Sequence, residues 1–348
     1  MKKVRVGLVG AGNIAHDTHL PAYARIENAE LVAVCDIDIE KAKRAAEKYH
    51  IPAYYASLGE MLEKADIDAV DICVWNSAHV PMCIEAARAG KHVMCEKPPA
   101  TSAEAMEELK RVLEETKVTY LLAVPNRFQT MNMYVKELCD KGEFGEIFYA
   151  KASYLRRRGV PRGWFTDKSV AGGGPVYDIG VHRIDSAWYL MGCPKPVRVS
   201  AATFSKYPEY EIRGYAPYTA APSPNGNVYD CEDLGAGVIY FENGAQMMFE
   251  ASWTLNLPDE GFTVICGTRA GCDVDKKKIY TEKDGFLYDN TVNIVKDANP
   301  FEGEIRHFVD CILRGERKTK YPIDEAITMQ KIMDAIYESA ATGRDIFL

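Results

Sequence analysis

The sequence lacks the features of secreted, membrane-bound and nucleic-acid-binding proteins. Its ten cysteines include no C-x-x-C pair, which disfavours a disulfide framework or a zinc ribbon. No apolar stretch is long enough to span a bilayer, and the first residues run into glycines before an apolar leader could form. The net charge of −8 opposes binding to nucleic acids and anionic membranes. These absences predict a soluble cytoplasmic protein with reduced cysteines and no nucleic-acid or membrane partner.

The first predicted strand, Val4–Val9, runs directly into a glycine turn. The residues that follow, Gly10-Ala11-Gly12-Asn13-Ile14-Ala15, have the G-x-G-x-x-A form. In that form Gly10 permits the tight turn, Gly12 permits close approach of a pyrophosphate, and the next helix offers free N–H groups to it. A second predicted strand ends in Asp36, at the spacing of the residue that binds the ribose hydroxyls, and a carboxylate there repels the 2′-phosphate of NADP. The pattern predicts an NAD-binding Rossmann domain.

Internal repeats and low-complexity linkers are also absent, and 348 residues suffice for two domains. Alternating strand and helix patterns predict a doubly wound parallel sheet in the first of them. We assign residues 1–125 to an NAD-binding domain and residues 126–348 to a substrate-binding and oligomerisation domain. The two C-terminal helices, near 302–314 and 324–342, show ordinary amphipathic spacing and carry no predicted chemistry.

Polar residues follow several predicted strands of this sheet, whose carboxyl ends hold the ligands of such folds. Lys97 stands at one strand end, where an ammonium group can stabilise a developing alkoxide; the alternative is a surface lysine paired with Glu96. The predicted cofactor-binding residues are Gly10, Gly12, Asn13, Ile14, Asp36, Ile37, Trp75, Asn76, His79, Glu96, Lys97 and Arg127.

A glycine tract and a proline precede a predicted helix with three ionisable residues. Asp178, His182 and Asp185 are four and three positions apart, so a helix projects them from one face. A carboxylate beside an imidazole fixes its tautomer and raises its basicity, as a proton acceptor near neutral pH requires. Gly180 is expected to let a flat ligand approach closely. The local pattern leaves open the alternative of a self-capped helix with a buried, hydrogen-bonded histidine.

The segment 154–165, which precedes the glycine tract, concentrates arginines and aromatic residues. Tyr154, Arg158 and Trp164 are candidate substrate contacts, because an indole stacks on the apolar face of a sugar and a guanidinium donates to hydroxyls. A salt-bridge cluster between domains or subunits is the alternative. The stretch 205–230 is rich in tyrosine and proline and is interpreted as an arm over a neighbouring subunit or a lid.

His16 and His19 have a spacing that zinc ligands use. No cysteine or acidic cluster in the sequence completes a site, and both histidines fall on the helix expected to face the pyrophosphate. We therefore predict no metal.

The sequence resembles the Gfo/Idh/MocA oxidoreductases over essentially the whole chain, with the same motifs in the same order. The resemblance implies an N-terminal Rossmann fold and a C-terminal α/β domain with a large, open, mostly antiparallel sheet through which homo-oligomers form. The matching motifs are Gly10–Ala15, Asn76 with His79, Glu96-Lys97-Pro98, and Gly173-Gly174 followed by Asp178, Gly180, His182 and Asp185.

The same resemblance implies a catalytic trio of Lys97, Asp178 and His182. His182 takes the hydroxyl proton while hydride leaves the same carbon for the nicotinamide, Asp178 orients the sugar or His182, and Lys97 polarises the reacting oxygen. One departure is Trp75, which stands where the family usually has a proline. We interpret its indole as stacking on the cofactor and slowing cofactor exchange.

The expected activity is therefore NAD-dependent oxidation of a secondary hydroxyl of a sugar, polyol or glycoside, a small-molecule carbohydrate. The second half is similar to family members that oxidise a glucose unit at its C3 hydroxyl. An NAD-dependent glycosidase that oxidises transiently and eliminates an aglycone is the alternative. A non-catalytic NAD-binding regulator is disfavoured, because Lys97 and His182 are both present. Whether the cofactor exchanges or stays tightly bound is left open.

Overall fold

The structure, a computed structural model, describes residues 3–207 and 218–348. The strands in these two stretches are β1 (Val4–Val9), β2 (Ala29–Cys35), β3 (Ala53–Tyr55), β4 (Ala69–Ile72), β5 (His92–Glu96), β6 (Tyr120–Ala123), β7 (Ile147–Leu155), β8 (Pro196–Phe204), β9 (Leu234–Phe241), β10 (Gln246–Ser252), β11 (Glu260–Gly267), β12 (Ala270–Asp273), β13 (Lys278–Lys283), β14 (Phe286–Thr291) and β15 (Ile346–Phe347).

The α-helices are α1 (Leu20–Tyr23), α2 (Ile39–Tyr49), α3 (Leu58–Lys64), α4 (His79–Arg88), α5 (Ala103–Thr116), α6 (Thr130–Asp140), α7 (Lys168–Ala171), α8 (Val181–Leu190), α9 (Pro300–Arg314) and α10 (Ile323–Thr342). Two π-helical turns, Ala15–His19 and Val176–Gly180, run directly into α1 and α8. Among the described helices, none combines the length and the apolar character that a membrane crossing requires.

The chain divides into two compact units, of which the first comprises residues 1–128 and 298–330. Its six strands form a parallel sheet in the order β3-β2-β1-β4-β5-β6. The strands are short and rich in β-branched residues, and β4 and β6 are buried along their whole length, as expected of a parallel sheet with helices on its faces. The predicted doubly wound Rossmann sheet is confirmed.

The first unit includes a C-terminal segment that the sequence analysis assigned to the second domain. Ile305, Phe308 and Val309 of α9 are fully buried in the same hydrophobic core as β4 and β5. The amphipathic face of α9 therefore closes the core of the Rossmann unit, although more than 170 residues separate α9 from β6 in sequence. Helix α10 is shared, with its residues up to Gln330 in the first unit and those from Lys331 in the second.

The second unit, residues 129–297 and 331–348, contains a nine-stranded sheet in the order β14-β13-β12-β11-β7-β10-β9-β8-β15. Only β7 and β10 pair in parallel, so the predicted large and mostly antiparallel sheet is confirmed. A hairpin joins β9 to β10, with Gly244 at a φ of +83°. Helix α8 covers one face of the sheet, where Met247 and Phe249 are buried.

Part of the tyrosine- and proline-rich stretch, 208–217, lies outside the described residues. Described residues on both sides of this part bind Asp233. Its carboxylate accepts hydrogen bonds from the backbone N–H groups of Lys206 and Tyr207 and from the hydroxyl of Tyr229. The arm-or-lid interpretation stays a prediction.

Candidate active site

The two glycines of the turn after β1 have different surroundings. Gly10 adopts a φ of +93°, and its N–H donates to the carbonyl of Cys35 at 2.8 Å. A Cβ atom at Gly10 would clash with the carbonyl oxygen of Cys73, whereas one at Gly12 would meet no protein atom within 4 Å. The protein itself thus requires the first glycine, and the second leaves open space beside the N-terminus of a helix.

This difference gives a matched pair of variants. We expect Gly10→Ala to lower the melting temperature, because left-handed backbone strain costs about 1–3 kcal/mol and the clash adds to it. Gly12→Ala should keep the wild-type melting temperature and weaken NAD binding by about tenfold or more, since an interaction worth about 1.4 kcal/mol gives that factor. Calorimetry and nucleotide titration measure the two effects. Equal loss of stability in both variants would contradict this division of roles.

Asp36, at the end of β2, holds the glycine turn in place. Its Oδ2 accepts the N–H of Ala11 at 2.8 Å, and its Oδ1 accepts the N–H of Asp38 at 2.8 Å. The adjacent Ile37 and the helix-start residue Asn13 are exposed, while Ile14 is half-buried. The residues predicted to bind the adenosine half of the cofactor thus surround one turn. After β4, Trp75 is half-buried and Asn76 is buried.

Buried groups hold the segment that carries Lys97 on both sides. Lys97 is half-buried, and its backbone N–H donates to Oε2 of Glu96 at 2.9 Å. His79 lies with Nδ1 2.9 Å from the carbonyl oxygen of Pro98 and Nε2 3.2 Å from that of Val74. Burial lowers the pKa of His79, although the hydrogen bonds to these two carbonyls oppose the shift. Glu96 and His79 therefore contact the backbone on either side of Lys97.

Arg127, also predicted to bind the cofactor, is 1% exposed. Its guanidinium lies 2.5 Å from a carboxylate oxygen of Glu325, donates to the carbonyl of Lys320, and stacks 3.6 Å over the ring of Tyr321. These partners all belong to the first unit and connect its last predicted strand end to the start of α10. The structure gives Arg127 a packing role in that core.

In the second unit, Asp178 lies in the π-helical turn and His182 in the first turn of α8. The indole N–H of Trp253 donates to Oδ2 of Asp178 at 2.9 Å, and Trp253 itself is fully buried after the end of β10. Sequence reasoning missed this contact, because Trp253 and Asp178 are 75 residues apart in the chain. The available signal is that a buried indole N–H needs an acceptor. Trp253 thus fixes the orientation of Asp178.

Glu232 holds the glycine tract that precedes this helix. Its carboxylate accepts the N–H of Gly174 at 3.0 Å and the hydroxyl of Tyr337 at 2.6 Å. Burial raises the pKa of Glu232, although these hydrogen bonds oppose the rise. A Cβ atom at Gly174 would lie 2.5 Å from the carbonyl oxygen of Glu232, so the tract needs glycine for this approach. Glu232 thus accepts N–H groups where the chain enters the helix that carries Asp178 and His182.

Gly180 does not serve the close ligand approach that we expected. A Cβ atom there would lie 2.9 Å from Cβ of Ala251 in β10. The absence of a side chain at Gly180 allows the helix to approach the sheet at Ala251. This approach brings Asp178 within reach of Trp253, which follows Ala251 by two residues. The sequence could not reveal this contact, because it does not show which element packs against a glycine in a helix.

The three candidate substrate residues have partners within the second unit. Arg158 donates to Oδ1 of Asn256 at 2.7 Å and forms an isolated bridge with Thr254, the neighbour of Trp253. Tyr154 has guanidinium groups 5.2 and 5.4 Å from its ring centre, and Trp164 stacks on Phe165 at 4.0 Å. The loop after β10 therefore connects Arg158 to the Asp178 site, whereas Trp164 belongs to a separate aromatic pair.

The two histidines considered as zinc ligands do not share a site. Nδ1 of His16 lies 3.4 Å from the hydroxyl of Tyr49, while His19 points into the core beside Asp71 and Glu96. Glu304 of α9 forms a group with His19 and Glu96, in which one potential ligand atom of each residue lies within 4.8 Å of the others. Acidic residues distant in sequence thus surround His19, contrary to the expectation that none would.

Family models match both halves of the chain. The model described as "Oxidoreductase family, NAD-binding Rossmann fold" matches residues 4–124, and the model for the "GFO/IDH/MocA C-terminal domain" matches residues 132–272. The chain is 32% identical to D-glucoside 3-dehydrogenase of Escherichia coli K12 over 350 residues, which cover 99% of this chain and 97% of that protein.

Two further similarities concern levoglucosan dehydrogenase. The enzyme of Pseudarthrobacter phenanthrenivorans is 28% identical over 269 residues, 72% of this chain and 68% of that protein. A solved structure of a levoglucosan dehydrogenase in complex with NADH and levoglucosan superposes with a TM-score of 0.85, 24% identity and 99% coverage of both chains. At that identity the superposition establishes the shared fold.

Proposed function

Because the chain belongs to the Gfo/Idh/MocA family of oxidoreductases, we propose that it is an NAD-dependent dehydrogenase of a carbohydrate secondary hydroxyl. The observation that carries the proposal is the helix of Asp178 and His182, held by Trp253 and Glu232, in a chain whose first unit has the dinucleotide-binding turn. The relative named D-glucoside 3-dehydrogenase favours the C3 hydroxyl of a glucosyl unit as the reacting group.

The glycine turn fits a dinucleotide. The space beside Gly12 and the N-terminus of the helix suit a pyrophosphate, and Asp36 suits the ribose hydroxyls. Trp75 and Asn76, which follow β4, are proposed for the nicotinamide side. NAD is favoured over NADP because the Asp36 carboxylate repels a 2′-phosphate and the next two residues include no arginine. When bound, the nicotinamide ring accepts the hydride.

The chain's own residues would handle the proton and the oxygen. His182 takes the hydroxyl proton as the C–H bond breaks, as a general base near neutral pH can. Asp178, fixed by the Trp253 indole, orients His182 or the sugar. The ammonium group of Lys97 donates to the reacting oxygen and stabilises its developing negative charge. Arg158, Tyr154 and Trp164 are proposed to contact the rest of the carbohydrate.

The experiment that tests this function mixes purified protein and NAD with a panel of glucosides, free sugars and polyols. We expect reduced-nicotinamide absorbance with at least one of them, a keto product by NMR, and weaker activity with NADP. Nucleotide released only on denaturation would show a tightly bound cofactor. Aglycone release without net reduction would favour the elimination reaction, and a chain that binds no dinucleotide would refute the proposal.

We also propose that the outer face of the nine-stranded sheet joins copies of the chain. Met248 and Tyr280 are 48% and 36% exposed, and Leu287 of β14 is 88% exposed, a pattern unusual for a sheet face left in water. Sedimentation should show an oligomer that Met248→Glu weakens, because the substitution would bury a charge in the interface. A monomeric wild-type protein would contradict this assembly.

A further inference from the structure

Imidazole nitrogens and carboxylates meet in the core of the first unit. Nδ1 of His19 lies 2.8 Å from Oδ2 of Asp71 in β4, and Nε2 lies 2.9 Å from Oε1 of Glu96 in β5. His19 and Asp71 are fully buried and Glu96 nearly so. A neutral imidazole has a single N–H, so with both carboxylates ionised the two contacts are hydrogen bonds only when the ring carries two protons.

Glu304 of α9 is the fourth member of this cluster. It is 0% exposed, and neither of its carboxylate oxygens has a hydrogen-bond partner within residues 3–207 and 218–348. One of them lies within 4.8 Å of a ring nitrogen of His19 and of a carboxylate oxygen of Glu96. A buried carboxylate without a donor is too poorly solvated to stay ionised. Burial and the charge of Glu96 accordingly raise the pKa of Glu304 well above 4.5.

The cluster connects to Lys97 through Glu96. One carboxylate oxygen of Glu96 faces His19, and the other accepts the backbone N–H of Lys97 at 2.9 Å. Burial would raise the pKa of Glu96, but the hydrogen bond and charge of His19 lower it. Glu96 is an ionised acceptor with both oxygens engaged, so its position depends on His19. The position of the Lys97 backbone depends in turn on Glu96.

We propose that His19 is a positioning residue for Lys97, acting as an imidazolium that bridges Asp71 and Glu96, while Glu304 is a neutral acid that closes the cluster. The inference rests on the role given to Lys97 in the proposed function. Burial opposes protonation of His19, but the charge of Asp71 and its hydrogen bond hold the pKa of His19 well above 6.5. The other titratable groups around His19 and Asp71 are Cys73, whose Sγ lies 3.7 Å from Oδ1 of Asp71, and the buried Tyr23. Burial raises the pKa of both groups and keeps them in their neutral forms.

A bound metal is the competing occupant of this cluster. His19, Glu96 and Glu304 offer one ligand atom each, but a metal needs a lone pair on Nε2, which an imidazolium does not have. NMR of ring-15N-labelled histidine in the whole protein distinguishes an imidazolium from a metal-bound His19. The variant His19→Gln assigns the signals. We expect two protonated ring nitrogens at pH 7–8 and no stoichiometric metal by elemental analysis. A neutral His19 ring or a co-purified metal would overturn the inference.

Glu304→Gln tests the neutral acid independently of activity. Above pH 4.5, the usual pKa of a glutamate, the unfolded chain releases a proton that folded Glu304 keeps. The unfolding equilibrium constant of the wild type therefore rises about tenfold per pH unit from this group until the folded pKa is reached. Glutamine lacks this dependence, so Glu304→Gln should gain stability over the wild type as the pH rises from 5 to 8. Lower stability across that range would mean that Glu304 is ionised or binds a cation.

A double-mutant cycle tests the connection to Lys97. His19→Gln should lower kcat about tenfold or more, while nucleotide affinity and the KM for the carbohydrate change little. In a Lys97→Met background the same substitution should cost almost nothing further, because the group that it positions is gone. A purely structural role would lower kcat equally in both backgrounds and would overturn the inference. Full activity of Lys97→Met itself would instead refute the proposed function.

If His19→Gln fails to fold, Glu96→Gln and Glu96→Ala replace it in the cycle. Glutamine keeps an acceptor for the Lys97 N–H and a donor for a neutral His19, whereas alanine keeps neither. We expect Glu96→Gln to retain most of the activity that Glu96→Ala loses, and to return the His19 ring to its neutral form. Equal activity losses in the two variants would contradict positioning through this carboxylate.

Discussion

Replacing His182 by alanine should lower kcat for the carbohydrate by about 10²- to 10⁴-fold, the usual contribution of a positioned general base. The substitution removes the proposed acceptor of the hydroxyl proton and leaves the hydrogen bond between Trp253 and Asp178 in place. Because His182 belongs to the second unit, binding of NAD to the glycine turn of the first should be unaffected. Steady-state kinetics and nucleotide titration measure the two quantities.

His50→Asn provides the matched control for this variant. His50 is an exposed histidine that ends α2 at a φ of +56°, and asparagine tolerates that backbone conformation. The control should keep full activity and stability. If His182→Ala retained more than about a tenth of the wild-type kcat, an effect under 1.4 kcal/mol, His182 would not be the base.

The parts of this site that the sequence predicted are those encoded within a few consecutive residues. The glycine turn, Asp36 and the strand end before Lys97 each follow from local pattern, and the structure has these features where the pattern indicated. The catalytic roles of Lys97, Asp178 and His182 remain predictions. The local pattern also left open a self-capped helix around His182, and in the structure Glu232, more than fifty residues away, accepts N–H groups where the chain enters that helix.

The residues that sequence reasoning missed act on the site from distant elements. Trp253 was not singled out, and Glu304 belongs to a helix for which no chemistry was predicted, because only the fold brings them to Asp178 and His19. The same limit explains Gly180, whose space is taken by Ala251 of β10. The two π-helical turns at Ala15–His19 and Val176–Gly180 also follow from no periodicity that we could identify.

Lys97→Met should lower kcat and kcat/KM together by about 10²- to 10³-fold, as expected when one donor to a developing oxyanion is removed. Equal losses in the two constants arise because the ammonium group interacts most strongly with an alkoxide that forms only in the transition state. Lys97→Arg keeps the charge, but its planar and larger guanidinium is not expected to restore the rate. The KM for the carbohydrate measures how much of the effect is ordinary binding.

Lys91→Met is the matched control, because Lys91 and Lys97 stand at opposite ends of β5. Lys91 is half-buried like Lys97, and its ammonium group donates to the carbonyl of Ile67 at 2.9 Å. In a parallel sheet the ligands bind at the carboxyl ends of the strands, so losing the lysine at the amino end should affect stability and leave kcat unchanged. Comparable kcat losses in the two variants would mean that Lys97 acts through the stability of the sheet. A loss confined to Lys97→Met, together with the His182→Ala result, would identify one group that holds the reacting oxygen and another that takes its proton.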